Sequence, residues 1–284
     1  MGTARGNLFR IGVTGWRGRL GSELVRRGCI PLKCDMTDRE WIRAVLEAQQ
    51  PHAVVHCAAM TDVDECEAQS RRAFEINTYG TKLLCHFFRG AIIYLSTDYI
   101  FDGQDGPYDE GARPNPLGWY GFSKLGGEIA VRQRKGERDL IVRTTVLFDC
   151  YSENFITTVT RKLLAGETLH LPDMLSGSPT YVPDLADGIL AAIHKQIGGI
   201  INLAGDQVMT RLEMGEVIAR ELGLPDKVIP GPVTGLAHRP QQAGLVVDEA
   251  KRLELPVGDP VDGIRKVVQH VVETVEARRP YHNQ

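Results

Sequence analysis

No apolar run in this 284-residue sequence approaches the length of ~20 residues that a helix needs to cross a bilayer. A membrane span is therefore not expected. The opening segment, Met1–Arg10, carries two arginines but no long apolar stretch and no small-residue cleavage site, so it does not read as a signal peptide. Net charge is also scarce: Lys+Arg 33 against Asp+Glu 36 leaves −3. Without a global basic field to hold a polyanion, nucleic acid is not expected as a partner, although a local phosphate site stays open. The six cysteines (Cys29, Cys34, Cys57, Cys66, Cys85, Cys150) form no C-x-x-C pair, and no H-E-x-x-H or Cys/His finger spacing accompanies them. Neither a metal site nor a disulfide framework follows. They read as small buried hydrophobes in a reducing cytoplasm. Hydrophobic residues at 43% and charged residues at 24% exclude a disordered or collagen-like chain.

At ~150 residues per domain, the length fits about two domains or one large α/β unit with an appended lobe. The first half alternates short β-rich runs with helical stretches. Leu8–Val13, Ala53–Ala58, Ala91–Ser96 and Leu140–Phe148 read as strands. Between them, Gly18–Arg27, Asp38–Gln49, Glu65–Phe88 (in two pieces) and Phe122–Lys135 read as helices, and the Gly/Pro/Asp-rich Gly103–Gly118 as a loop. Near-continuous apolar strands separated by helices imply a doubly wound, Rossmann-type α/β fold whose parallel sheet is covered on both faces. In the second half Asn154–Leu164, Asp184–Lys195, Arg211–Leu222 and Gly263–Arg278 read as helices, Ile200–Ala204 as a strand and Pro225–Pro240 as a connection. The division falls near residue 150: a dinucleotide-binding domain over 1–150 and a smaller, mainly substrate-binding lobe over 151–284. The segment 177–205 is expected to pack back on the sheet.

Five patterns could carry chemistry. The run Gly15-Trp16-Arg17-Gly18-Arg19-Leu20-Gly21 joins a strand to a helix. Glycines there let backbone approach a pyrophosphate, and the helix N-terminus supplies free N–H groups. Arg17 and Arg19 could add phosphate contacts; a glycine turn without a ligand is the plainer alternative. Tyr120 and Lys124 form Y-x-x-x-K, which puts an ammonium one helical turn from a phenol. Such a lysine lowers the phenol pKa and readies it for proton transfer, although the same spacing is common in surface pairs. Ser96-Thr97-Asp98 closes a buried strand, where hydroxyls point into the ligand crevice of a parallel sheet unless they merely cap a turn. Ala58-Ala59, with Thr61 and Asp62-Val63-Asp64, would let a cofactor pass close to the backbone, or simply packs and caps the next helix. Asn77 is a poor helix former inside a helix, and reads either as a polar partner beneath the sheet or as an exposed residue.

The order of these patterns carries more than any one of them. The glycine turn is followed by C-A-A-M-T-D-V-D-E-C-E, E-I-N-T-Y-G, S-T-D-Y-I-F-D-G, Y-G-F-S-K-L-G-G-E, I-V-R-T and S-P-T-Y-V-P-D-L-A. From about Arg10 to about Leu253 the chain resembles the extended short-chain dehydrogenase/reductase superfamily, and within it the dTDP-4-dehydrorhamnose reductase group. The resemblance implies a catalytic set of Thr97, Tyr120 and Lys124, with Asn77 supporting a water-mediated proton path behind Lys124. Tyr120 would protonate the C4 carbonyl oxygen of a keto-sugar as hydride arrives. Lys124 would hold the nicotinamide ribose and lower the Tyr120 pKa, and Thr97 would hydrogen-bond the substrate oxygen. Gly15, Trp16, Arg17, Gly18, Arg19, Leu20 and Gly21 would hold the cofactor pyrophosphate, and Asp35 and Met36 would sit by the adenine. Cys57, Ala58, Ala59 and Thr61 would line the cofactor crevice. Thr61, Val63, Thr97, Asp98, Tyr99, Tyr120 and Arg239 would face a nucleotide-diphosphate sugar, with Arg239 as its phosphate contact.

The implied activity is NAD(P)H-dependent reduction of a nucleotide-linked 4-keto-6-deoxysugar in deoxysugar biosynthesis, in the cytoplasm. A homodimer is the assembly that the resemblance suggests. No acidic residue clearly fills the position that reads the adenosine 2′-hydroxyl, and Lys33 nearby tilts the expected cofactor from NAD toward NADP. Two positions depart from the family pattern in the substrate pocket: Val146 replaces a tryptophan and Met174 an amide. Two other functions remain open on the sequence. One is an NAD-dependent nucleotide-sugar epimerase. The other is a non-catalytic dinucleotide-binding regulatory subunit like that of methionine adenosyltransferase.

Overall fold

The computed structural model describes residues 9–277. Most of Met1–Arg10, the first residue of the expected opening strand (Leu8) and the last of the expected closing helix (Arg278) lie outside them. Six parallel strands form the central sheet: β1 (Ile11–Thr14), β2 (Ile30–Pro31), β3 (Ala53–His56), β4 (Ala91–Thr97), β5 (Leu140–Thr144) and β6 (Gly199–Asn202). Their order is β6-β5-β4-β3-β1-β2. Every residue of β1, β3 and β5 is buried, as continuous apolar runs require of strands covered on both faces. The chain leaves β1 toward β2 on one side and returns to β3 on the other. That reversal opens a crevice beyond the carboxyl ends of β1 and β3.

Several boundaries differ from the sequence reading. The short β2 spans two residues, too few to leave a periodic signal. The run read as a single strand over Leu140–Phe148 breaks at Val146, whose φ is 46°. This left-handed conformation, unusual for a β-branched residue, turns the chain out of the sheet, and Leu147–Phe148 pairs instead with Thr180–Tyr181. The Glu65–Phe88 stretch forms four pieces: Val63–Ala68, Ser70–Ala73, a π-helical turn at Phe74–Tyr79, and Gly80–Phe87. Inside the Pro225–Pro240 connection, Val228–Gly231 pairs in parallel with Leu169–Pro172. The prolines in both segments hide that pairing from a pattern search.

The helix Val182–His194 packs on the helix Arg19–Arg26, and β6 follows it at the edge of the sheet. A separate apolar core, including Phe148, Ile156, Met214, Ile218 and Val267, lies under the helices Phe155–Leu164, Arg211–Glu221 and Pro260–Ala277. Reciprocal side-chain caps fix the starts of the first two: Asn154 with Thr157, and Thr210 with Glu213.

One buried ion pair ties the sheet to the helix Trp119–Arg134. The Arg143 guanidinium donates to both Glu128 carboxylate oxygens, at 3.1 and 3.0 Å, and to the Glu110 carbonyl at 3.1 Å. Removing one member of such a pair strands a charge in the interior. Glu128→Ala is expected to lower the unfolding free energy by about 3–5 kcal/mol, read from denaturant midpoints at constant slope.

Candidate functional site

The carboxyl ends of β1, β3, β4 and β5 open into a cleft of about 1220 Å³. One end is the glycine turn. Gly15 has φ +63°, and a Cβ there would come within 2.6 Å of the Ala58 amide nitrogen. A Cβ on Gly21 would strike the Gly15 carbonyl oxygen. Both glycines are thus required for the turn to close against β3. The helix that follows starts at Gly18 with no side-chain cap, which leaves its first-turn amides available at the cleft wall. On the cleft floor, the Ser96 and Thr144 hydroxyls are buried with no hydrogen-bond partner among the described residues. Unpartnered amides and hydroxyls along one groove fit a dinucleotide, which offers phosphate oxygens and ribose hydroxyls.

Gly15 through Gly21, Asp35, Met36, Cys57, Ala58, Ala59, Thr61, Val63, Thr97, Asp98, Tyr99, Tyr120 and Lys124 all line this cleft. Two expected site residues do not. Arg239 is engaged elsewhere: its Nη2 lies 2.7 Å from Asp64 Oδ2, and its Nη1 donates to the Ala237 carbonyl. The guanidinium expected to be free for a phosphate is already paired. Asn77 is buried beneath the cleft, where its side chain accepts from the Met60 amide at 2.7 Å and donates to the Met60 carbonyl and the Ser123 hydroxyl. It brackets the loop after β3 to the helix Trp119–Arg134, and its polar atoms bind protein groups directly. Ser123 in turn donates to the Tyr120 carbonyl. Arg19 lines the cleft while its guanidinium reaches across to Ser152 Oγ and the Glu153 carbonyl.

Helix Trp119–Arg134 carries both Tyr120 and Lys124, on one face and one turn apart. The Lys124 ammonium is buried. It donates to the Leu95 carbonyl on β4 and lies 4.3 Å from the centre of the Tyr94 ring. Burial pulls its pKa down to about 8. The Tyr120 phenol departs from expectation: burial raises its pKa above the ordinary value, and a hydrogen bond with Thr97 only partly offsets this. Among the described residues no hydrogen bond joins Tyr120 to Lys124, whose ammonium donates to the Leu95 carbonyl. Thr97 Oγ1 donates to Asp98 Oδ1 at 3.1 Å, and Thr145 Oγ1 donates to Asp98 Oδ2 at 2.7 Å. Burial pushes the Asp98 carboxyl up to about 6.

The sequence reading missed three second-half residues on the cleft wall: Asn154, Phe155 and Arg211. No local motif marks them. They arrive because two capped helix starts are carried to the cleft by the second core.

The profile of the RmlD substrate binding domain matches residues 9–276. The chain belongs to this family. Within it, dTDP-4-keto-6-deoxy-D-glucose reductase of Streptomyces niveus is 34% identical over 239 residues, covering 79% of this chain and 83% of that protein. Methionine adenosyltransferase 2 subunit beta of Danio rerio is also 34% identical, over 238 residues, covering 79% and 72%. The crystal structure of dTDP-4-dehydrorhamnose reductase from Bacillus anthracis, in complex with NADP, superposes with a TM-score of 0.85 at 28% identity. That match covers 91% of this chain and 98% of the other. In this chain the Y-x-x-x-K helix and the glycine turn line one cleft at the end of the Rossmann-type sheet.

A lysine with a lowered folded-state pKa opposes folding while it is charged. Between about 8 and the ordinary lysine value the unfolded chain binds more protons, so the wild-type protein gains stability as pH rises through that window. Lys124→Met is therefore expected to be more stable than wild type at pH 7, by roughly 1–4 kcal/mol. The difference should shrink as pH rises above 8, measured by paired denaturation curves from pH 7 to 10.

Proposed function

We propose that this protein reduces the C4 ketone of a nucleotide-linked 4-keto-6-deoxysugar, with a reduced nicotinamide dinucleotide as hydride source. The observation that carries the reading is the meeting of Thr97, Tyr120 and Lys124 at the floor of the cleft that the glycine turn opens. The names of the relatives supply the substrate class. The dinucleotide would lie along the half formed by residues 1–150, and residues 151–284 would hold most of the sugar nucleotide. When bound, the dinucleotide supplies the hydride; the chain's own groups manage the oxygen.

The Tyr120 phenol, kept protonated by burial, donates its proton to the ketone oxygen as charge develops there. Thr97, beside it at the end of β4, holds the same oxygen once its hydroxyl proton turns from Asp98 Oδ1 to the ketone. Lys124 sets a positive field under the site, strongest at and below neutral pH, and binds the nicotinamide ribose. Asn77 acts through Ser123 as a positioning residue. The six free thiols suit a cytoplasmic location.

The cofactor of this reading is NADPH in preference to NADH. Arg17 and Lys33 both approach the Trp16 ring, with the guanidinium carbon 4.7 Å and the ammonium 5.3 Å from its centre. Both line the cleft, and no carboxylate pairs with either among the described residues. Asp35, the acid of this end, accepts from the Thr37 amide and hydroxyl at 2.8 Å. Two free cations and a locally engaged acid favour a 2′-phosphate over a 2′-hydroxyl.

Turnover is read at the reduced-nicotinamide absorbance band, with dTDP-, UDP- and GDP-linked 4-keto-6-deoxysugars and either NADH or NADPH. Stoichiometric loss of the band supports the reductase. Conversion without net loss would mark an epimerase. Silence on every sugar, with dinucleotide binding intact, would leave the binding role suggested by the methionine adenosyltransferase relative. Tyr120→Phe is expected to cost at least ~100-fold in turnover while dinucleotide affinity survives. Arg17→Ala combined with Lys33→Ala should weaken NADPH by roughly 10- to 100-fold and NADH by much less, measured as dissociation constants by fluorescence titration.

A further inference from the structure

We propose that Arg211 is the anchor for the diphosphate of the sugar nucleotide, the part that the sequence resemblance assigns to Arg239; this rests on the nucleotide-sugar reading above. Arg211 begins the helix Arg211–Glu221. The reciprocal cap beneath it fixes its backbone: Thr210 Oγ1 accepts from the Glu213 amide at 3.1 Å, and the Glu213 carboxylate accepts from the Thr210 amide at 2.6 Å. The Arg211 amide donates to the Leu175 carbonyl. From this start the side chain reaches the cleft wall, where its guanidinium carbon stands 5.1 Å from the centre of the Phe155 ring.

The polar environment of that guanidinium is poor. Its one side-chain hydrogen bond among the described residues goes to the Met214 sulfur, at 3.6 Å. Among the described residues no carboxylate forms an ion pair with it. Asp98 and Tyr99 are the anionic or potentially anionic groups that act on it, and Arg239 is the nearby like charge. Asp98 already accepts from Thr97 and Thr145, so it does not satisfy the guanidinium. Half-buried at the cleft wall on an aromatic face, the guanidinium keeps donors available to a ligand anion. The planar fork of arginine matches two phosphate oxygens.

Position along the cleft separates this cation from the others. Arg17, Arg19, Lys33 and Arg72 line the glycine-turn end, and Lys124 lies under the floor. Arg211 is the one Lys or Arg side chain that the described residues after 150 contribute to the cleft, and it acts on Tyr99 and Asp98 beside Thr97. A diphosphate held there is distinct from the dinucleotide pyrophosphate at the glycine turn. Its sugar would extend toward Thr97 and Tyr120.

Calorimetric titration of the full chain with NADP⁺ bound tests this, using dTDP, UDP and GDP, the corresponding nucleosides, and wild type beside Arg211→Ala and Arg211→Lys. For whichever diphosphate binds wild type best, Arg211→Ala should weaken binding roughly 10- to 100-fold. Nucleoside and NADP⁺ affinities should stay level, and Arg211→Lys should recover part of the loss. In turnover the loss should fall on KM more than on kcat. Unchanged NADP⁺ affinity in the same samples reports a folded cleft. Diphosphate affinity within twofold of wild type in Arg211→Ala overturns the proposal and leaves the reductase reading standing. A wild-type protein that binds no nucleoside diphosphate sinks both.

Discussion

A single buried ammonium organises the floor of this protein. Lys124 comes from a helix packed against the sheet, and its charge is met by the Leu95 carbonyl and the Tyr94 ring. Neighbouring groups are adjusted to it. His56 sits fully buried between the Thr14 and Thr81 hydroxyls, and burial, helped by the nearby ammonium, holds its pKa at about 3, so it adds no second charge. Burial, against the pull of the ammonium, pushes the Cys57 thiol up to about 12, which keeps it protonated and unreactive at neutral pH. His56 and Cys57 therefore add no further charge beside that of Lys124. In a water-poor site that field reaches further than it would in solvent.

Attachment of the second half follows a different logic. Arg19 reaches from the glycine turn to Ser152 and Glu153. At the opposite side, Asp64 Oδ1 accepts from the Leu236 and Ala237 amides while Oδ2 takes the Arg239 guanidinium. These two polar straps cross the cleft at different ends. They add polar contacts to the apolar packing of Val182–His194 against the sheet half. That arrangement suits a cleft whose walls must admit a ligand, whereas the Arg143–Glu128 pair is locked deep inside the sheet half and has no such freedom.

What the sequence disclosed reflects how local each determinant is. The glycine turn and the Tyr120–Lys124 spacing are each set within one turn of chain, so both were legible, as were the long apolar strands β3 and β4. The two-residue β2 offered no period to read. The turn at Val146 was hidden because its residues look like the strand they leave. Asn77 was recognisable as a misplaced polar residue, but its partners Met60 and Ser123 are joined to it only through the π-helical turn at Phe74–Tyr79. Arg211 and Arg239 exchange prospects for a purely tertiary reason. A motif identifies the second, but Asp64 captures it; no motif identifies the first, and among the described residues no carboxylate pairs with it.

The acidity of Tyr120 depends on burial as well as on spacing. Four residues on a helix bring phenol and ammonium to one face, and that geometry invites the conclusion that the phenol is made acidic. Burial acts on both groups, however, and in opposite senses: it raises the phenol and lowers the ammonium, because each neutral form is the better one to desolvate. The lysine proton is directed at the Leu95 carbonyl rather than at the phenol oxygen. For a reduction this is the more useful state, since the ketone oxygen needs a proton donor and a phenol that had already ionised could not be one. Burial thus keeps the acid loaded, with Thr97 beside it at the end of β4.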